Sequence, residues 1–162
     1  MKRFMLVLVS FVLLLGCAFP ITASATNVDE QSAIFTQEEF ESLEHTYATY
    51  NQSRATGLIT DCSLGIAKSG NTLKISGYTY GSDAVTKCGF TEVIVQRRAD
   101  SNSSWSDYLT YEDLYSSSNS YTLTKSVTVA SGYQYRVTAT HYAKKSLFST
   151  EKITGTTGTL TF

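Results

Sequence analysis

The stretch Gly132-Tyr-Gln-Tyr-Arg-Val-Thr-Ala-Thr-His-Tyr142 decides the fold. Tyr133, Tyr135, Val137 and Ala139 fall on one side of an extended chain; Gln134, Arg136, Thr138 and Thr140 fall on the other. Successive side chains of a strand point to opposite faces, so the alternation predicts a strand with one buried and one wet face.

Working outward, the same signature recurs about every ten residues, separated by turn signals. Leu58–Ala67 ends at Ser69-Gly70-Asn71, and Leu73–Tyr80 ends at Gly81-Ser-Asp83. Gly77 inside the second run marks a bulge or a close backbone approach. Phe90–Arg98 is apolar on both faces at Val93-Ile94-Val95 and is expected to be central in its sheet. Trp105–Leu114 is less regular. Tyr121–Val129 alternates cleanly except at Lys125, which either snorkels at a sheet margin or marks a bulge. Leu147–Phe162 supplies a last strand, or two short ones broken at Gly155. The single proline, Pro20, lies outside all of these runs. About seven strands in residues 57–162 predict an all-β, immunoglobulin-like β-sandwich, and the tyrosines opening the 132–142 stretch suggest its tyrosine corner. The chain departs from a true immunoglobulin domain, because Val137 stands where the second inter-sheet Cys would be and the third strand has no Trp.

Residues 1–25 read as a signal peptide. Lys2 and Arg3 precede an apolar run from Phe4 to Phe19, Pro20 breaks it, and Ala23-Ser24-Ala25 offers small residues for cleavage after Ala25. The alternatives are an uncleaved anchor and a lipoprotein attached through Cys17 in Leu14-Leu15-Gly16-Cys17. The expectation is therefore a secreted, extracellular protein with no membrane span after signal removal. Residues 26–56 are an acidic linker: six carboxylates against Arg54 give −5, whereas eight acids and ten bases give +2 over residues 57–162. Neither value makes the clustered basic stripe of a nucleic-acid surface, so no nucleic-acid partner is expected. Thr36-Gln-Glu-Glu39 forms a capping box, and Phe40, Leu43, Tyr47 and Tyr50 recur at helical spacing, predicting a short helix within the linker. The charge asymmetry raises the idea of 26–56 as a removable lid on the strand domain.

Cys62 and Cys88 remain after signal removal, and an even pair in an exported chain favours a disulfide. The bridge would close a loop of 88 − 62 = 26 residues and contribute roughly 3 kcal/mol. Two buried free thiols are the alternative.

Cys62-Ser-Leu64, Leu73-x-Ile75-Ser76-Gly77, Gly89-Phe90 with Ile94-x-Gln96-Arg97, Trp105, and Gly132-Tyr-x-Tyr-Arg-Val137 with His141 together resemble a group of small exported proteins of Gram-positive bacteria, a domain family of unknown function. The resemblance spans roughly residues 57–150. It implies an extracellular sandwich and a bacterial source, and it carries no activity, ligand or site.

Motifs for catalysis are missing. His45 and His141 are the only histidines, and there is neither a nucleophile elbow nor a phosphate-cradling glycine loop. Cys62 or Cys88 paired with His141 would be the one thiol nucleophile, without a supporting local motif. Asp107, Glu112 and Asp113 lie close in sequence but lack calcium-loop spacing. No enzyme activity, cofactor or metal is expected. The aromatics are more suggestive: Trp105, Tyr108, Tyr111 and Tyr115 fall within eleven residues, with parities that cannot all share one strand face. They are the candidate ligand-binding residues, since exposed aromatic faces stack on sugars. Arg97, Arg98 and Arg136 form a candidate cationic patch or simply punctuate a polar face. Two functions follow: a binding module for a glycan or cell-surface polymer, and a structural component pairing through an exposed edge at Lys152–Phe162.

Overall fold

The computed structural model describes residues 34–50 and 57–162. The predicted leader, its cleavage site and Cys17 lie outside the described residues. The elements are α1 (Gln37–Glu41), β1 (Glu44–Tyr50), β2 (Ile59–Ser69), β3 (Thr72–Gly81), β4 (Lys87–Arg98), β5 (Ser106–Ser116), β6 (Ser120–Thr128), β7 (Gln134–Ser146), β8 (Ser149–Thr157) and β9 (Leu160–Thr161).

All pairings are antiparallel. The strand order is β5-β4-β7-β8-β1-β2-β3-β6, with β9 added to β7. The sheet folds over so that it is nearly closed, with β5 and β6 as its two free edges. β1 is the turning point: Glu44–Tyr47 pair with β2, whereas Ala48–Tyr50 pair with β8. β2, β3 and β6 thereby face β4, β7 and β8. Leu64, Ile66, Leu73, Ile75, Leu123 and Val127 pack between them against Phe90, Val93, Val95, Val137 and Ala139, and nearly all are fully buried. These are the apolar members of the alternating runs. Burying each Leu, Ile, Val or Phe side chain is worth about 1.5–3 kcal/mol.

Tyr135 opens β7 fully buried, and its hydroxyl donates to the carbonyl of Ala130 at 3.2 Å, fixing the connection from β6 into β7. β4 lies between β5 and β7, as its two-faced apolar centre predicts. At Gly77 a Cβ would come within 2.7 Å of the Ser63 carbonyl oxygen, so the glycine permits a close approach of β3 to β2. No bulge accompanies it, because the β2–β3 register is continuous from Asp61 to Ser69. Lys125 likewise sits in unshifted register; it reaches across the gap between the free edges to place its ammonium 4.7 Å from the ring centre of Tyr111.

Several expectations need correction. Residues 44–50 are a strand, not the second half of a helix. Thr36 does cap α1, accepting from the Glu39 amide at 3.1 Å, but the helix stops after five residues. The alternating Thr46, Ala48 and Tyr50 suit a pleated, half-buried surface, and pairing with two neighbours outweighs a marginal short helix. Glu39 does not reach back to its cap; its carboxylate forms an ion pair with Lys74. Within residues 34–50, β1 is built into the sheet, whereas the stretch around α1 packs over the sheet's outward face through Phe35 and Phe40. Finally, Lys152–Phe162 is not one continuous free edge: Gly155–Thr157 pair with β1, residues 149–156 of β8 pair with β7, and β9 pairs with β7 on one side. The break between them falls at Gly158 and Thr159, not at Gly155.

Candidate functional site

The outward face of β5-β4-β7-β8 collects the side chains that alternate away from the core. β7 presents Gln134, Arg136, Thr138, Thr140 and Tyr142. At one end of this face the indole of Trp105 lies over two guanidiniums, with Arg136 4.3 Å and Arg98 4.5 Å from the ring centre. Each arginine is held by an amide on the neighbouring strand. Arg98 Nε donates to Gln134 Oε1 at 2.8 Å, and Arg136 Nε donates to Gln96 Oε1 at 2.9 Å. Gln96 in turn donates to Asp107 at 2.8 Å. Partial burial, and then the charge of Arg98 beside it, push the Arg136 pKa down.

At the other end, Tyr115 and Tyr142 flank Gly89 on the adjacent strands, with ring centres 5.3 Å apart. Gly89 has φ +149°, and a Cβ there would lie 2.0 Å from the Leu114 carbonyl oxygen, so only glycine fits beneath the pair. The Lys87 ammonium sits 3.9 Å from the Tyr115 ring centre. Partial burial, together with the negative charge of Asp113, pushes the Tyr115 phenol up to about 12. Between the ends, Thr138–Thr156 and Thr140–Thr154 form two cross-strand hydroxyl pairs, each at 3.0 Å. Ten residues of strand separate Trp105 from Tyr115, a span of about 30 Å.

The four candidate aromatics therefore divide. Trp105 and Tyr115 belong to the outward face. Tyr108 and Tyr111 pack against the core, with Tyr108 edge-on to Tyr135 at 5.8 Å. Two irregularities explain the parities. Tyr108 is the extra residue of a bulge, since Val95 pairs with Leu109 but Gln96 with Asp107. Asp113, with φ 55°, is the one non-glycine residue in the left-handed region among the described residues. The arginines divide as well: Arg98 and Arg136 are outward, whereas Arg97 stacks on Tyr108 and Tyr133 at 4.8 and 5.0 Å. Tyr142 was not among the sequence candidates. Its signal was parity with Arg136 along the same strand, but its partner became visible only once the register was known.

A second polar cluster lies in the core. His141 is fully buried and tilted against Phe90. The Thr79 hydroxyl donates to the Gly89 carbonyl at 3.0 Å, so it accepts from His141 Nδ1–H at 2.8 Å. His141 Nε2 then carries the lone pair and accepts from the Tyr50 hydroxyl at 3.1 Å. Burial drives the His141 pKa down to about 4, which keeps the ring neutral, and burial also raises the Tyr50 phenol. Both ring nitrogens are thus engaged by Thr79 and Tyr50, and neither thiol holds the histidine as a base. His45, by contrast, is exposed, with Nδ1 2.9 Å from the Leu43 carbonyl.

Cys62 and Cys88 are not joined in the expected disulfide. They sit on opposing halves of the sheet, Cys62 on β2 and Cys88 on β4. The Cys88 thiol donates to the Thr79 carbonyl at 3.4 Å, and Cys62 lies against Tyr50. Among the described residues no group of three or more His, Cys, Asp or Glu side chains is placed to hold a metal ion, and no helix is long and apolar enough to cross a membrane. No protein-family model, curated protein or solved structure matches the chain.

Proposed function

We propose that this is a secreted, non-catalytic binding module of immunoglobulin-like sandwich type that takes an extended glycan or other cell-surface polymer along the outward face of β5-β4-β7-β8. The observation that carries the reading is the placement of aromatic rings at both ends of one polar face. Trp105 is held over Arg98 and Arg136, Tyr115 is paired with Tyr142, and hydroxyl and amide groups lie between. Partly exposed rings spaced along a row of donors and acceptors suit a polymer that stacks at two points and hydrogen-bonds between them. The engagement of His141 by Thr79 and Tyr50 favours a structural role for the one buried imidazole. The sandwich reading is supported by the Tyr135–Ala130 hydrogen bond at the entry to β7 and by the division of β2-β3-β6 from β5-β4-β7-β8. Export rests on the sequence of residues 1–25 alone.

The test is retention of the exported chain on a glycan array and on insoluble cell-wall polymer. Trp105→Ala and Tyr115→Ala should each weaken binding by about tenfold, from loss of a stacked ring. Retention unchanged in both variants, with melting temperatures like the parent's, would sink the reading, as would a parent chain that binds no glycan or wall polymer.

A further inference from the structure

The turn joining β7 to β8 carries residues that turn chemistry would not select. Ser146 pairs with Ser149, leaving Leu147 and Phe148 as a two-residue loop. Such loops commonly carry Asn, Asp or Gly; here neither Leu147 nor Phe148 is left-handed, so the backbone admits them, but nothing in the turn calls for two large apolar side chains. Here Leu147 is 80% exposed and Phe148 99% exposed. Apart from Ile34, the first described residue, no other large apolar side chain among the described residues exceeds 42%. The apolar pair thus stands alone at the apex of a long hairpin.

Lysines surround its base. Lys144 and Lys145 lead into the turn, Lys87 on β4 pairs with Lys144, and Lys152 on β8 pairs with Tyr142. The carboxylate nearest in sequence, Glu151, is buried and turned inward to accept the Ile59 amide at 2.8 Å. Asp83 and Asp113 lie on the β3–β4 connection and on β5. Among the described residues none of these four lysines makes an ion pair with a carboxylate.

We propose that the β7–β8 tip docks on an anionic lipid bilayer, inserting Leu147 and Phe148 below the headgroups while Lys144, Lys145, Lys87 and Lys152 meet the lipid phosphates. The two features fit one surface. A pair of apolar side chains gives only marginal anchoring, and stable attachment needs a second signal, here the basic ring. Lysine stems lie along apolar surface with their ammonium groups at the phosphate level, and a negative leaflet attracts each charge near it. An apolar pocket on a protein would receive the two side chains but leave four uncompensated cations at its rim. The tip adjoins the Tyr115–Tyr142 end of the polymer face, where Lys87 lies over Tyr115 and Lys152 near Tyr142, but it needs neither ring, and Trp105 with its arginines lies at the opposite end of β7.

The exported chain, with its N-terminus read by mass spectrometry, is sedimented with phosphatidylcholine vesicles with and without phosphatidylglycerol. It should bind the anionic vesicles and be released by salt. The double variant L147S/F148S should bind at least about tenfold more weakly, from loss of two buried side chains, while keeping the parent's melting temperature. K144E/K145E should lose the preference for phosphatidylglycerol. F148W reports directly on the tip, because Trp105 is remote: its added emission should shift to the blue on anionic vesicles and be quenched by brominated lipid. Unshifted, unquenched emission from F148W overturns the proposal. So does a parent chain that ignores both vesicles, or a parent dimer that L147S/F148S converts to monomer.

Discussion

The two outward faces of the sheet are treated in opposite ways. On β1-β2-β3 the outward side chains include Ala67, fully buried, and Lys74, 8% exposed. They are covered by Phe35 and Phe40 from the segment around α1, with Glu39 ion-paired to Lys74 and the Lys74 ammonium 4.8 Å from the Phe35 ring centre. On β5-β4-β7-β8 the outward side chains are mostly Thr, Gln, Arg, Glu and Tyr, with Ile94 among them, and several of the polar ones bond to one another across strands. A face with an apolar row recruits a lid from its own chain and becomes a second small core. A face whose polar groups are already paired among themselves needs none, and is left free for another molecule.

The largest effect should come from breaking the covered face. Phe40→Ala removes a fully buried ring that holds α1 down and should cost about 3 kcal/mol, read by denaturant unfolding. Trp105→Ala on the open face should cost under about 1 kcal/mol, since only part of its ring is buried. Equal losses would erase the contrast between the faces. Acid attacks the core between them and is the control that treats both alike. The unfolded chain protonates His141 near its ordinary pKa of 6.5, whereas the folded chain resists until about 4. Across that window the unfolded state binds the extra proton, so stability falls as pH drops from about 6.5 to about 4 and then levels, by roughly 3 kcal/mol from this group. His141→Gln should flatten this part of the profile; an unchanged slope would refute the assignment. The smallest effect belongs to the threonine ladder. Removing both hydroxyls of one matched pair, in Thr138→Val with Thr156→Val, should change stability by less than about 0.5 kcal/mol. A matching loss of polymer affinity in the same variant would mark the open face as built for ligand rather than for folding.

Much of the fold was legible because period-two alternation reports directly on which side chains are buried. Tyr135, Val137, Ala139 and their opposites across the sheet lie as the 132–142 stretch predicts. β1 was not legible, because Phe40, Leu43, Tyr47 and Tyr50 mimic a helical face by coincidence: Phe40 caps a sheet from outside, whereas Tyr50 enters the core to meet His141. Local spacing cannot distinguish two short elements from one longer element when each contributes two apolar residues. The candidate site was half legible. Trp105 and Tyr115 could be named, but the bulge at Tyr108 and the left-handed Asp113 reverse parity without any glycine or proline to announce them. Register is a pairwise property, so the partnerships of Trp105 with Arg136 and of Tyr115 with Tyr142 had no single-strand signature.

Because β1 gives one half of its length to β2 and the other to β8, it serves as the spine of a folded leaf whose fore-edges are β5 and β6. The spine is stitched by continuous ladder bonds, whereas the fore-edges meet through side chains such as Lys125 over Tyr111. A force that parts the two halves therefore opens the molecule on the side away from β1, the way a book opens, and exposes Phe90 and Leu123 before it disturbs the hinge.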